Sequence, residues 1–340
     1  MVSFIHDTEA IFRPREVSTS FCDNLTVGLQ DVRGRRHTEY KGYVYNVRCF
    51  EVIGKNKLGR SMKFLHITDP HLVARPQMLF DIDVWARLEQ AVESMNSRHG
   101  DAELCVLTGD LTHWAEPEAY ADVMTIMGGL AIPWHPILGN HDDREIFRAT
   151  FPDAPVDGYG FLQYTLETSA GRFILLDTLK QGSASGTLCT KRLDWLRDQL
   201  ETARRDGVNV FVFMHHAPMA TGINGLDRIG LEDPETFAAA IADFDNIRHI
   251  FFGHLHRACH GSWRGIPVST LKATAHQAEL TLDPDAPLTY CPENPAYAVV
   301  LISDEAVVIH DHSYLEEGNE FEYVQGFPGA TTSPPPHQGD

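Results

Sequence analysis

No run of apolar residues in this chain approaches the ~20 that a membrane-spanning helix requires. The first ten residues lack a basic segment followed by an apolar one, so no secretory leader is read there and a cytoplasmic location is expected. Cysteine is sparse: Cys22, Cys49, Cys105, Cys189, Cys259 and Cys291 lie far apart with no Cys-x-x-Cys pair. That spacing favours free thiols over a disulfide framework and offers no thiolate metal site. Positive charge is also scarce, with 28 Lys/Arg against 47 Asp/Glu and a net charge of −19. The imbalance is uneven: residues 1–61 hold ten Lys/Arg and seven Asp/Glu, the rest of the chain 18 and 40. An acidic body without a basic, aromatic-studded groove disfavours a nucleic acid polymer as partner. Most of these carboxylates simply solvate the surface.

What is present is a set of short apolar runs, each ending in residues suited to hard or borderline cations. Phe64 to Ile67 leads to Asp69-Pro70-His71, and Leu104 to Thr108 to Gly109-Asp110. Ile137-Leu138 leads to Gly139-Asn140-His141-Asp142, Val208 to Met214 to His215-His216, and Ile247 to Phe252 to Gly253-His254-Leu255-His256. A parallel sheet would bring all five fragments to the C-terminal ends of its strands, where open α/β folds place their sites. Residues i and i+2 of an extended segment point the same way, so Asp69 with His71, and His254 with His256, are each expected to offer two ligands to one side. Asp69, His71, Asp110, Asn140, His215, His254 and His256 exceed what one tetrahedral ion needs. A carboxylate can bridge two ions, so the set reads as a two-metal site open to water and substrate. His216, next to His215 on the strand, is expected to face the other way, into the core or behind the ligands.

In these residues, D-x-H, G-D, G-N-H-D, a lone His and G-H-x-H in that order, the chain resembles the calcineurin-like metallophosphoesterases from about Met62 to Tyr314. The resemblance implies a four-layer α/β/β/α sandwich and two divalent ions. It places one ion on Asp69, His71, Asp110 and His256, and the other on Asp110, Asn140, His215 and His254. His141 is not needed as a ligand, and its implied role is to donate a proton to the leaving alkoxide or a hydrogen bond to a phosphate oxygen. Many members carry an acidic residue three positions after the bridging aspartate, where it orients this histidine. Here that position is His113, which leaves the orienting partner of His141 open and makes His113 a candidate pocket residue. Gly225-Leu226-Asp227-Arg228-Ile229 and Glu232-Asp233 resemble a loop of bacterial glycerophosphodiesterases and class III cyclic nucleotide phosphodiesterases, which makes Arg228 a candidate contact for a substrate phosphate.

With 340 residues and 43% hydrophobic composition the chain can bury a full core in one large domain. Residues 1–61 read as an appendage: either an accessory strand pair around Lys41 to Ile53, or a segment upstream of translation starting at Met62. The metallophosphoesterase domain is expected over 62–325, and residues 326–340, with Pro334 to Pro336, as a disordered tail. Helices are predicted from Asp83, over Pro117 to Met127 and over Lys191 to Arg205. Phe173 to Asp177 is predicted as a buried strand, Met219 to Asp233 as a flexible insert beside the site. Pro267 to Leu271, His276 to Leu282 and Tyr297 to His310 are predicted as strands completing a second sheet.

The function expected is hydrolysis of small phosphodiesters, glycerophosphodiesters or 3′,5′-cyclic nucleotides, by a hydroxide bridging two ions. The alternatives are a phosphomonoesterase of the same fold and a non-catalytic scaffold, the latter disfavoured because every ligand is intact. The N/O donor set accepts Mn, Fe, Co or Zn. For a homo-oligomer the second sheet and residues 1–61 are the candidate interfaces.

Overall fold

The computed structural model describes residues 61–315. The appendage expected before Ser61, with its Lys41 to Ile53 strand, and the tail from Gly326 lie outside the described residues. Two sheets form the centre of the molecule. In the first, β1 (Met62–Ile67) runs parallel to β2 (Cys105–Thr108), and β2 to β3 (Trp134–Ile137). On its other side β1 pairs antiparallel with β12 (Ala296–Ile302), which turns back as β13 (Val307–Ser313). The second sheet has the order β4 (Tyr164–Thr168), β5 (Gly171–Leu175), β6 (Val210–Phe213), β7 (Ile247–Phe251), β9 (Ile266–Thr270), β8 (Cys259–Trp263). Its four inner strands are parallel and its two edge strands antiparallel. A two-residue ladder joins β10 (Gln277–Ala278) to β11 (Tyr290–Cys291).

Strands covered on both faces should read as continuous apolar runs, and β6 shows why. Phe211 and Phe213 belong to the core between the sheets, whereas Val210, Val212 and Met214 pack into the core under the outer helices. Phe64 of β1 stands edge-on to Phe173, Phe213 and Phe251 of the facing sheet, with ring centroids 5.1, 5.7 and 5.4 Å away. Outside the second sheet, α4 (Thr190–Asp206) contributes Leu193, Leu196 and Leu200 and α6 (Pro234–Ile241) contributes Phe237. Against the first, α1 (Val84–His99) buries Val84, Leu88 and Met95, and α2 (Pro117–Met127) buries Tyr120 and Val123. Two shorter helices, α3 (Arg144–Thr150) and α5 (Asn224–Asp227), complete the set among the described residues. The layers are helix, sheet, sheet, helix, as expected. Asp83 caps α1 by accepting the N–H of Ala86 at 2.9 Å, and Pro117 opens α2 where its missing N–H costs nothing. No helix among the described residues is long and apolar enough to cross a membrane.

Three expectations need correction. A single parallel sheet does not carry the five fragments: β1, β2 and β3 deliver three of them, and β6 and β7 of the facing sheet deliver the others. Tyr297 to His310 is not one strand, because Ser303 and Ala306 close a turn through a 2.8 Å backbone bond and split it into β12 and β13, which extend the first sheet. Of His276 to Leu282, only Gln277 and Ala278 are strand. Cys105, Cys189, Cys259 and Cys291 are free thiols, as expected.

Two buried histidines give the fold a pH dependence. Burial pushes His66 down to about 3 and His249 to about 4, and each is held by a 2.8 Å hydrogen bond, to Thr108 Oγ1 and Ser269 Oγ. Unfolded histidine titrates near pH 6.5, so below that pH the unfolded chain takes up protons that the folded chain refuses. Stability is therefore lost as pH falls from about 6.5 toward 4, by up to ~1.4 kcal/mol per unit for each histidine. We expect urea denaturation to show a loss of about 2 kcal/mol or more between pH 6 and pH 5. A flat profile there would mean that these rings already carry protons in the fold.

Candidate metal centre

The sequence rationale of i and i+2 on an extended strand does not describe how the ligands converge. β1 ends at Ile67, and Asp69 and His71 adopt left-handed backbone with φ of 52° and 46°. Asp110 (φ 50°), His254 (φ 69°) and His256 (φ 50°) do the same. For non-glycine residues this conformation costs of order 1–2 kcal/mol each, and clusters of it mark functional sites. Cross-strand bonds hold it: Asp69 N–H to Gly109 O at 3.2 Å, His71 N–H to Asp110 O at 3.0 Å, Gly253 N–H to His215 O at 3.1 Å. Gly139 must lack a side chain, since a Cβ there would collide with the Asp110 carboxylate.

These loops bring all seven expected ligands together. Asp69, His71, Asp110 and His256 place one donor atom each within 4.8 Å of the others. His71 Nε2 and His256 Nε2 are 3.0 Å apart, and His256 Nε2 is 3.4 Å from Asp69 Oδ1. Asp110 Oδ2 lies 3.4 Å from His71 Nε2 and also 3.4 Å from His215 Nε2. His215 Nε2 in turn is 3.2 Å from Asn140 Oδ1. The ring of His254 stands 5.1 Å from that of His215. One carboxylate oxygen thus sits between two donor groups.

Neighbours fix the ligands' orientation. Nδ1 of His215 meets the Thr108 carbonyl at 2.7 Å and Nδ1 of His256 the His276 carbonyl at 2.8 Å. Each Nδ1–H therefore donates, which leaves Nε2 as the bare acceptor a metal ligand needs. Thr68 Oγ1 and the His254 N–H both donate to Asp69 Oδ2, at 2.5 and 3.1 Å. Asp142 accepts from the N–H groups of Gly139, Leu111 and Thr112 and from the Tyr120 hydroxyl, which locks the Gly139 to Asp142 turn against the Asp110 loop.

His113 answers the question left by the missing acidic residue. Its backbone carbonyl accepts from His141 Nδ1 at 2.9 Å, which aims His141 Nε2 away from that bond. Its ring stacks on His141 at 4.5 Å, and its Nδ1 is 3.0 Å from His71 Nδ1. Burial holds His113 down to about 4, so at neutral pH it is an uncharged ring able to accept from His71.

The electrostatics suit cations. Burial opposes charge on His215, but Asp110 beside it overcomes this and lifts its pKa to about 9; Asp69 acts in the same way on His256. Burial drives His254 down to about 3 and His71 well below its usual range. Burial disfavours the ionised form of Asp110 as well, yet His215, His141 and His71 hold its carboxyl well below the usual carboxylate range. The proton that Asp110 favours on His215 thus occupies the place of a cation, so metal uptake there releases a proton. Asp69 Oδ1 and His254 Nε2 are buried without a hydrogen-bond partner, an arrangement that costs free energy unless a further group coordinates them. The donor set therefore fits two divalent ions.

Arg228 is not brought into this arrangement. It is exposed at the end of α5, and no polar contact among the described residues joins it to the ligands. His216 is buried, as expected for a residue turned from the open site, with its Nδ1 2.8 Å from Thr178 Oγ1; its ring nevertheless lies 4.8 Å from that of His254. Sequence reasoning overlooked His276, whose carbonyl orients His256 and whose ring lies 5.3 Å from His71. It had no i, i+2 partner to mark it.

The model of the family described as calcineurin-like phosphoesterase matches residues 62–258. Over 76% of its length the chain is 37% identical to a probable cyclic nucleotide phosphodiesterase of Rhodopseudomonas palustris, covering 95% of that protein. It is 31% identical to the glycerophosphodiester phosphodiesterase GpdQ of Enterobacter lignolyticus over 64% of this chain and 78% of the relative. Among solved structures, a dimetal phosphatase from Danio rerio aligns with a TM-score of 0.57 at 16% identity, over 75% of this chain and 97% of the other. That last likeness speaks for the fold alone.

Proposed function

This chain belongs to the calcineurin-like phosphoesterase family, and from that premise we propose that it hydrolyses small phosphodiesters, cyclic nucleotides or glycerophosphodiesters, at a centre of two divalent ions. The observation that carries the reading is Asp110 Oδ2, placed 3.4 Å from Nε2 of His71 on one side and of His215 on the other. An oxygen so placed would be shared by both sites, Asp69, His71 and His256 being the other residues that would hold one ion and Asn140, His215 and His254 those that would hold the second. When bound, the ions supply Lewis acidity toward the phosphoryl oxygens and the attacking water. The nitrogen and oxygen donors accept Mn, Fe, Co or Zn.

The chain's own groups supply the rest. The left-handed loops pre-position the donors, so little reorganisation accompanies charge build-up on the phosphoryl oxygens. His141, with Nδ1–H committed to the His113 carbonyl, presents Nε2 to the site, and in its imidazolium form the Nε2–H would pass its proton to the departing alkoxide, leaving the neutral Nδ1–H tautomer. The names of the relatives in Rhodopseudomonas palustris and Enterobacter lignolyticus support the diester class.

The test is turnover of bis(p-nitrophenyl) phosphate, p-nitrophenyl phosphate, glycerophosphoethanolamine and cyclic AMP by protein stripped with chelator and then reloaded with Mn²⁺ or Zn²⁺. We expect no turnover of any ester after stripping, recovery on reloading, and a higher kcat/KM for a diester than for the monoester. Monoester preference would make the protein a phosphatase of the same fold. Turnover undiminished by the chelator would contradict the two-ion assignment.

A further inference from the structure

An arc of rings borders one side of the metal centre, and three of its members are exposed in spite of their chemistry. Phe80 is 62% exposed, Trp114 63% and Tyr290 44%. Two imidazoles link them. Trp114 meets the ring of His113 at 4.2 Å, Phe80 meets His113 at 5.8 Å and His276 at 5.2 Å, and Tyr290 meets His276 at 4.8 Å. His113 and His276 both rest against His71, at 5.1 and 5.3 Å, so the arc begins at a candidate metal ligand and opens toward solvent.

The backbone at two of these rings, at Phe80 itself and just after Trp114, is strained. Leu79 and Ile82 exchange backbone hydrogen bonds of 3.1 and 2.8 Å, closing a turn whose two central residues, Phe80 and Asp81, have φ of 51° and 62°. Turns with two left-handed central residues select Asn-Gly or Asp-Gly, and a bulky aromatic residue is a poor occupant. Trp114 is followed by Ala115 at φ 55°, another left-handed position filled by neither glycine nor asparagine. Core packing does not account for rings this exposed, nor does turn chemistry account for Phe80 or for the left-handed residue after Trp114. Strain retained beside a site points to a role in it.

We propose that Phe80, Trp114 and Tyr290 form a stacking subsite for a planar ring carried by the substrate, so that the centre prefers a nucleoside phosphodiester to an aliphatic glycerol diester. The inference deepens the phosphodiesterase reading and rests on it. A phosphate held at the ligands leaves a base, one sugar away, reaching outward over His71 toward the arc, whereas a glycerol ester has no π face to present. Stacking also suits a chain of net charge −19, because a neutral base is bound through its face without calling on cationic side chains.

Phe80→Ala, Trp114→Ala and Tyr290→Leu, each in the full metal-loaded chain, test this. Each should lower the ratio of kcat/KM for cyclic AMP to that for glycerophosphoethanolamine by about 5- to 150-fold, mostly through KM. Phe80→Tyr and Trp114→Phe should largely restore it. Calorimetric titration with adenosine 5′-monophosphate, which needs no turnover, should show the same loss of affinity. Phe80→Gly should bind the nucleotide weakly while its Tm rises by about 2–4 °C, because glycine relieves the left-handed turn. An unchanged substrate ratio, equal losses on both esters, or variants that alter only subunit association would overturn the proposal. So would a fall in Tm for Phe80→Gly, which would show the ring to be kept for folding. Wild-type protein that turned over no phosphodiester would remove the functional reading instead, and the nucleotide titration would still decide the stacking.

Discussion

Asp110→Ala is expected to lose about three orders of magnitude or more in kcat/KM for any diester the protein hydrolyses, together with most of its bound metal. The size follows from the position of one oxygen, Oδ2, 3.4 Å from both His71 Nε2 and His215 Nε2. Two cations held by these donors would repel each other, and Asp110 is the carboxylate of the set whose one oxygen faces both donor groups. Its loss weakens both sites, and several kcal/mol of charge stabilisation at the transition state correspond to ~10³-fold or more in rate. Alanine also sits poorly at φ 50° and cannot accept the 2.8 Å bond from the His141 N–H to Asp110 Oδ1. Asp110→Asn separates the two effects, because asparagine tolerates left-handed backbone and keeps the shape but carries no charge. It should fold with a Tm near that of the wild type, hold less metal by elemental analysis, and turn over nearly as poorly as the alanine variant. Near-normal turnover in either variant would mean that Asp110 does not bridge two ions.

The seven side chains that converge were readable from the chain because each is chemically uncommon at a strand end and the five fragments repeat one pattern. The geometry behind it was not readable. Alternation along a strand predicted that Asp69 and His71 share a side, and they do converge, but through left-handed backbone held by the Gly109 and Asp110 carbonyls. Long-range pairing escaped as well. β12 reads as one more apolar run, and nothing local indicates that it returns across most of the chain to lie beside β1. The helices with apolar period and a clear cap, such as the one opened by Asp83, came out within a residue or two. α3, α6 and the edge strands β4 and β8, short or polar, carried too little period to detect. His113 shows the deeper limit: part of its role is played by a backbone carbonyl, which every residue possesses.

That carbonyl shapes the second large effect. His141→Ala should keep the metal content of the wild type, since His141 is not among the seven convergent donors, and slow the chemical step by about 10²- to 10⁴-fold on esters with an alkoxide leaving group. The dependence on leaving group identifies what the ring does. With Nδ1–H donated to the His113 carbonyl at 2.9 Å, only Nε2 is left to face the substrate, and the imidazolium form gives it the proton that either role below requires. If it protonates the departing oxygen, the loss should be large for cyclic AMP or glycerophosphoethanolamine and much smaller for bis(p-nitrophenyl) phosphate, whose p-nitrophenolate departs without needing a proton. If it donates instead to a phosphoryl oxygen, all three esters should suffer alike, because that oxygen gains charge whichever group leaves. Glutamine at 141 refines the distinction, for its amide can donate a hydrogen bond but cannot transfer a proton. It should recover part of the rate only under the second arrangement. Loss of metal in His141→Ala would contradict both, and would make this ring part of the cluster that holds the ions.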